Sequence, residues 1–116
     1  MPRIYLPQEL ETFYLIPAIR REYTREMANL GLPQKEIANK LGITEAAVSQ
    51  YISKKRATSV TFNPKITSEI RKSAKRIVSN SAPFLNEIKR ICNLCIRETV
   101  LCKIHKKYEN VPKGCR

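Results

Sequence analysis

All four cysteines and the single histidine of the chain fall between Cys92 and Cys115. Their spacing is C-x2-C-x6-C-x12-C, with His105 three residues after Cys102. Thiolates are soft ligands for zinc and for iron–sulfur clusters. A C-x2-C pair lets two sulfurs of one turn grip a single metal atom or cluster, and a further cysteine and histidine nearby extend the ligand set. The candidate metal ligands are therefore Cys92, Cys95, Cys102 and Cys115, with His105 as the alternative fourth ligand. Geometry sets a condition. On one continuous helix, Cys92 and Cys102 would stand about 15 Å apart, too far to share a metal. The helix must end between Cys95 and Cys102; otherwise the cysteines are small apolar positions on a helix. An iron–sulfur cluster prefers four thiolates and favours Cys115. Zinc accepts mixed Cys3His sets and favours His105. Zinc would staple the tail. A cluster would make it a sensor of redox state, oxygen or iron. A chain this short has no room for a small-molecule effector domain, and that favours the cluster over zinc.

Nothing in the chain resembles a catalytic constellation of nucleophile, acid and base. The expectation is a protein that is not an enzyme and takes no small-molecule substrate. Its 116 residues fit one domain, or a small domain with an extension. The net charge is +12, from 22 Lys plus Arg against 10 Asp plus Glu. Such an excess points to a polyanionic partner. Membrane is the weaker choice, because no apolar run approaches the roughly 20 residues of a spanning helix. The start, MPRIYLPQELE, shows no apolar signal core, so the expected location is cytoplasmic. In a reducing compartment, clustered cysteines more often mean metal or redox chemistry than a disulfide framework.

The positioning elements read as all-α. Pro17 suits a helix start, and Ile16, Ile19, Tyr23, Met27 and Leu30 follow at helical spacing. Gly31 ends that helix. Pro33 opens a short helix, QKEIANKL, with Ile37, Ala38 and Leu41 inward. Gly42 supplies the positive φ of a tight turn. Thr44 is the N-cap of a third helix, EAAVSQYISKK, which buries Ala47, Val48, Tyr51 and Ile52. A linker of β-branched residues follows. A helix from about Thr67 then carries Ile66, Ile70, Ala74, Ile77 and Val78 on one face, with Arg71, Lys72, Lys75 and Arg76 on another. Between Lys54 and Arg90 stand ten Lys or Arg and two Glu. Most of these cations fit a solvated face, but the density places some near phosphate. Phe84, Leu85, Ile88, Ile91, Cys95 and Ile96 form a last apolar stripe, expected to meet its twin in a homodimer.

Two short helices around a glycine turn form a helix-turn-helix. The span GLPQKEIANKLGITEAAVSQYISKKR resembles the DNA-binding motif of lambda-repressor-like (Xre family) transcriptional regulators. Ile37, Ala38, Leu41, Gly42, Ile43, Val48 and Tyr51 fall on the motif's apolar and glycine positions. With the preceding helix, the resemblance covers roughly half the chain. The segment LPQELETFYLIPAIRREYTREM is similar in style to the archaeal-type branch. The family places its second motif helix in the major groove of double-stranded DNA. By position, Glu45, Ala46, Ser49 and Gln50 meet the base edges, with Thr44 at the groove edge. Gln50 can bond adenine N6 and N7, Glu45 can accept from cytosine N4, and Ala46 can touch a thymine methyl. Gln34 and Lys35 would hold phosphates before the turn, and Lys54, Lys55 and Arg56 beyond the recognition helix. Glu45 equally suits first-turn stabilisation through the helix dipole.

The resulting division is a helix-turn-helix DNA-binding domain at 1–56, a linker at 57–65, and dimerisation helices with the cysteine-rich tail at 66–116. The function expected is sequence-specific transcriptional regulation, with the tail as sensor. Two other readings stay open. One is a regulator or adaptor with a purely structural zinc site, binding RNA or a protein. The other is an antitoxin-like autoregulator.

Overall fold

Capping residues set where the helices start. Thr44 Oγ1 accepts the Ala47 N–H at 3.0 Å and opens α4 (Glu45–Ile52). Asn63 Oδ1 accepts the Ile66 N–H at 2.9 Å and opens α5 (Pro64–Val78), with Pro64 in the first turn. That helix begins three residues before Thr67, because Asn63 is the better cap. The other elements of this computed structural model, which describes residues 6–53 and 62–98, are helices as well. They are α1 (Pro7–Leu10), a π-helical turn (Glu11–Leu15), α2 (Ile16–Asn29), α3 (Gln34–Leu41) and α6 (Phe84–Arg97). No strand occurs among the described residues.

Pro17 does not begin the first helix. The chain is already helical from Pro7, and α1, the π turn and α2 run on without a break. An interior proline lacks the N–H for the i−4 carbonyl and its ring crowds that oxygen. The π turn lies over that position, at Phe13, and widens the helix where the proline needs it. At the other end of α2, Gly31 takes φ 92° and the Leu32 N–H returns to the Met27 carbonyl. Gly42, at φ 66°, ends α3, and the Ile43 N–H closes the turn on the Ala38 carbonyl at 3.0 Å.

Helix α2 is the centre of the fold, packing on α3, α4, α5 and α6. It buries Ala18, Ile19, Tyr23, Thr24 and Met27. Its two outer apolar residues do less: Ile16 is half-buried and Leu30 is exposed. Against α2 come Ile37, Ala38 and Leu41 of α3, Val48 of α4, and Ile66, Ile70, Ala74 and Ile77 of α5, all in one cluster. Each fully buried Ile or Leu contributes about 1.5–3 kcal/mol.

The stripe on α6 is spent inside the chain. Ile88, Ile91, Leu94 and Cys95 are buried in the same cluster, and Phe84 stands edge-on to Tyr23 with ring centroids 5.5 Å apart. Only Leu85 (72% exposed) and Ile96 (41%) remain outside. This corrects the expectation that the whole stripe faces a second subunit: apolar periodicity shows that a face is covered, not by which chain. The helices on either side of 57–65 share one core, and most of that linker lies outside the described residues.

A polar cluster crosses the same interface. The Tyr23 hydroxyl lies 2.7 Å from Ser73 Oγ, and the Ser73 hydroxyl donates to Glu87 Oε1 at 2.8 Å. Arg76 donates to that oxygen from Nε and Nη2, and Arg90 Nη2 reaches it at 3.4 Å. Burial alone would push the Glu87 carboxyl up. The Ser73 hydroxyl and the Arg76 and Arg90 guanidinium groups together outweigh it and hold the carboxyl below its usual value. Burial pushes the Tyr23 phenol up to about 12.

Candidate nucleic-acid interface

The two faces of α4 separate cleanly. Ala47, Val48 and Tyr51 turn inward, as their apolar types demand. Thr44, Glu45, Ala46, Ser49 and Gln50 are all exposed, which puts every candidate base-reading residue on one outer face. Ile52, read as buried, is 38% exposed at the end of that face. Beyond it, Ser53 caps the helix and donates its hydroxyl to the Gln50 carbonyl at 3.1 Å, fixing the last turn. Thr44 keeps a donor to offer. Its oxygen accepts from Ala47, but a hydroxyl also carries one hydrogen, which can reach a phosphate oxygen.

The second face lies at the start of α3. Gln34 and Lys35 are exposed there. Pro33 stands in the cap position and no side chain caps the helix. Its first-turn N–H groups therefore point outward without a side-chain acceptor, a ready arrangement for a phosphate oxygen. Sequence reasoning named the side chains of Gln34 and Lys35 and missed these backbone donors. The signal was present: a proline where Ser, Thr, Asp or Asn would have capped. Lys54, Lys55 and Arg56 lie outside the described residues.

Few of the cations on α5 and α6 are left for phosphate. Arg76 and Arg90 pair with Glu87, Arg90 also with Glu69, Lys72 with Glu69, Arg71 with Glu26 and Lys65 with Glu98. These ion pairs lie on the outer face of the fold. Lys75 is exposed and makes no ion pair among the described residues.

A helix-turn-helix family model matches residues 23–62. The match covers α3, α4 and the turn between them, so those residues are similar to a helix-turn-helix domain. No curated protein and no solved structure matches the chain. The helix-turn-helix supports a DNA-binding transcriptional regulator. Among the described residues, no helix is long and apolar enough to cross a membrane.

The cysteines divide across the edge of the described residues. Cys102, His105 and Cys115 lie outside them. Helix α6 ends at Arg97 with Glu98 as its cap, and the path from there to Cys102 lies outside the described residues. Cys92 is half-buried and Cys95 is fully buried in the core. Burial, with lesser contributions from Cys92 and Glu98, pushes the Cys95 thiol up to about 12. Among the described residues, no three His, Cys, Asp or Glu side chains converge on a point that could hold a metal ion.

Proposed function

We propose that the protein is a sequence-specific transcriptional regulator that lays α4 in the major groove of duplex DNA. One observation carries this reading: the four base-reading candidates of α4, with Thr44 at its cap, share an exposed face while Ala47, Val48 and Tyr51 are buried beneath it. Gln50, Glu45 and Ser49 read base edges, Ala46 touches a thymine methyl, and Thr44 bonds at the groove edge. Gln34, Lys35 and the open N-terminus of α3 fix the register on the phosphates. Lys54, Lys55 and Arg56 extend that grip beyond α4. Selection of bound duplexes from a randomised pool tests it. The expected product is a short consensus with adenine opposite Gln50, and a selection that returns only random sequence would refute it.

A palindromic site needs two copies, with their α4 helices one DNA turn, roughly 34 Å, apart. Since α6 leaves only Leu85 and Ile96 outside, the homodimer we propose forms on DNA rather than before it.

A second reading concerns the tail, favoured by the end of α6 at Arg97. Here Cys92, Cys95 and Cys102 hold one centre with Cys115 or His105, either an iron–sulfur cluster or zinc. For Cys95 to act as a ligand, its sulfur must trade apolar neighbours for the metal and lose its proton. Elemental analysis of protein purified without oxygen decides this. Stoichiometric iron or zinc, lost in Cys92→Ser, is the expected result. Neither metal in the wild type leaves Cys95 as a core residue and ends the reading.

A further inference from the structure

We propose that the cleft between α2 and α6 docks an acidic, apolar segment of a partner protein, with Arg20 as its anchor. Two hollows open along this face. One, of about 320 Å3, has Ile16, Arg20, Ile88 and Lys89 in its walls. The other, of about 420 Å3, lies towards the α3–α4 turn and has Arg20, Lys40 and Leu85 in its walls. Arg20 is the wall they share. No acidic residue among the described residues lines either hollow.

Arg20 is half-buried, and its Nε is shielded from solvent with no hydrogen-bond acceptor among the described residues. Neither Arg20 nor Lys89 has a carboxylate partner among those residues. Arg21 Nε is shielded in the same way, but Arg21 is paired with Glu22, and Lys75 is unpaired among the described residues but lines neither hollow; among those residues, Arg20 is the unpaired guanidinium in the walls of both. A guanidinium partly withdrawn from water is stabilised by an anion that can meet its planar fork, and a carboxylate fits that fork with two parallel hydrogen bonds. The apolar half of the match is Leu85, 72% exposed at the rim, with half-buried Ile16 along the wall.

The mixture decides the class of occupant. A DNA phosphate would satisfy Arg20 but would press a charged backbone against Ile16 and Leu85. A second copy of this chain would bring 22 basic groups against 10 acidic ones to a basic cleft. A peptide segment with Glu or Asp beside Leu or Ile satisfies both halves. The site uses none of the α4 residues, so the regulator could hold a duplex and an acidic protein at once.

The test is a titration of the full chain, labelled with nitrogen-15, by an acetylated peptide of Glu and Leu with its leucines at helical spacing. Amide shifts should centre on Ile16, Arg20, Leu85 and Lys89 and saturate below millimolar peptide. Arg20→Gln and Leu85→Ser should each weaken binding about ten-fold or more, a loss of roughly 1.4 kcal/mol. Leu85 is a surface residue, so its variant keeps the test valid if Arg20→Gln fails to fold. Any of three results with the peptide overturns the proposal: no shifts at millimolar peptide, shifts centred on Ser49 and Gln50 as for a DNA mimic, or affinity unchanged in Leu85→Ser. Cleft shifts on adding duplex DNA, weakened by Leu85→Ser, would also overturn it by assigning the cleft to nucleic acid.

Discussion

At the residue scale, Thr44 joins stability to recognition. Its oxygen caps α4 through the Ala47 N–H, so removing it loosens the helix that carries the reading face. Thr44→Ala should cost about 1 kcal/mol of stability. Urea unfolding measures this, and Thr44→Ser should recover most of the loss. A Thr44→Ala midpoint equal to the wild type would mean that the cap carries no weight. Gln50 and Lys35 should separate cleanly. A base-edge contact changes which sequence is bound, whereas a phosphate contact weakens all sequences alike. The inner and outer faces of α4 were legible because it repeats apolar types at the interval that buries Ala47, Val48 and Tyr51. The uncapped N–H groups behind Pro33 were harder to see, because they belong to the backbone.

At the element scale, Glu87 holds α5 and α6 together. One carboxylate oxygen takes the Ser73 hydroxyl and the guanidinium groups of Arg76 and Arg90, and Ser73 passes the contact on to Tyr23 of α2. Because the folded carboxyl titrates below its unfolded value, this contribution is complete above that value, near 4.5. It fades as pH falls through the lower folded value. Glu87→Gln should cost about 1–3 kcal/mol at neutral pH. Between pH 5 and pH 3, thermal unfolding of the variant should vary less with pH than that of the wild type. Parallel curves would show that Glu87 does not set the acid limb. The sequence hid this cluster, since serine and glutamate are types usually found at the surface, and only the packed helices reveal the burial of Ser73 and Glu87. It also hid the π turn before Pro17, where a proline read as a beginning is a widened interior. The helices from Gln34 to Ile52 were plain, because Gly42 and Thr44 punctuate them with residues whose conformations leave little choice.

At the scale of the whole molecule, one cluster of apolar side chains reaches from Leu15 to Cys95 and, among the described residues, leaves six large apolar side chains exposed, two of them on α6. The periodicity of α6 was legible as a covered face, but its cover is α2 and α5 of the same chain. Self-association without DNA should therefore be weak. Sedimentation at micromolar concentration should give the single-chain mass of 13.4 kDa, and two copies should load on a duplex with inverted half-sites. Saturation at one copy per inverted pair would contradict a DNA-assembled dimer.

The central claim is that α4 reads base sequence, and anisotropy titrations of wild type and Gln50→Ala against the selected duplex and a scrambled one test it most directly. The wild type should prefer the selected duplex by about 1000-fold or more. On both duplexes its affinity should fall linearly in log salt. Gln50→Ala should lose about 1–3 kcal/mol on the selected duplex and almost nothing on the scrambled one. Equal affinities of wild type and variant on both duplexes would contradict the account, and so would a wild type that does not distinguish them.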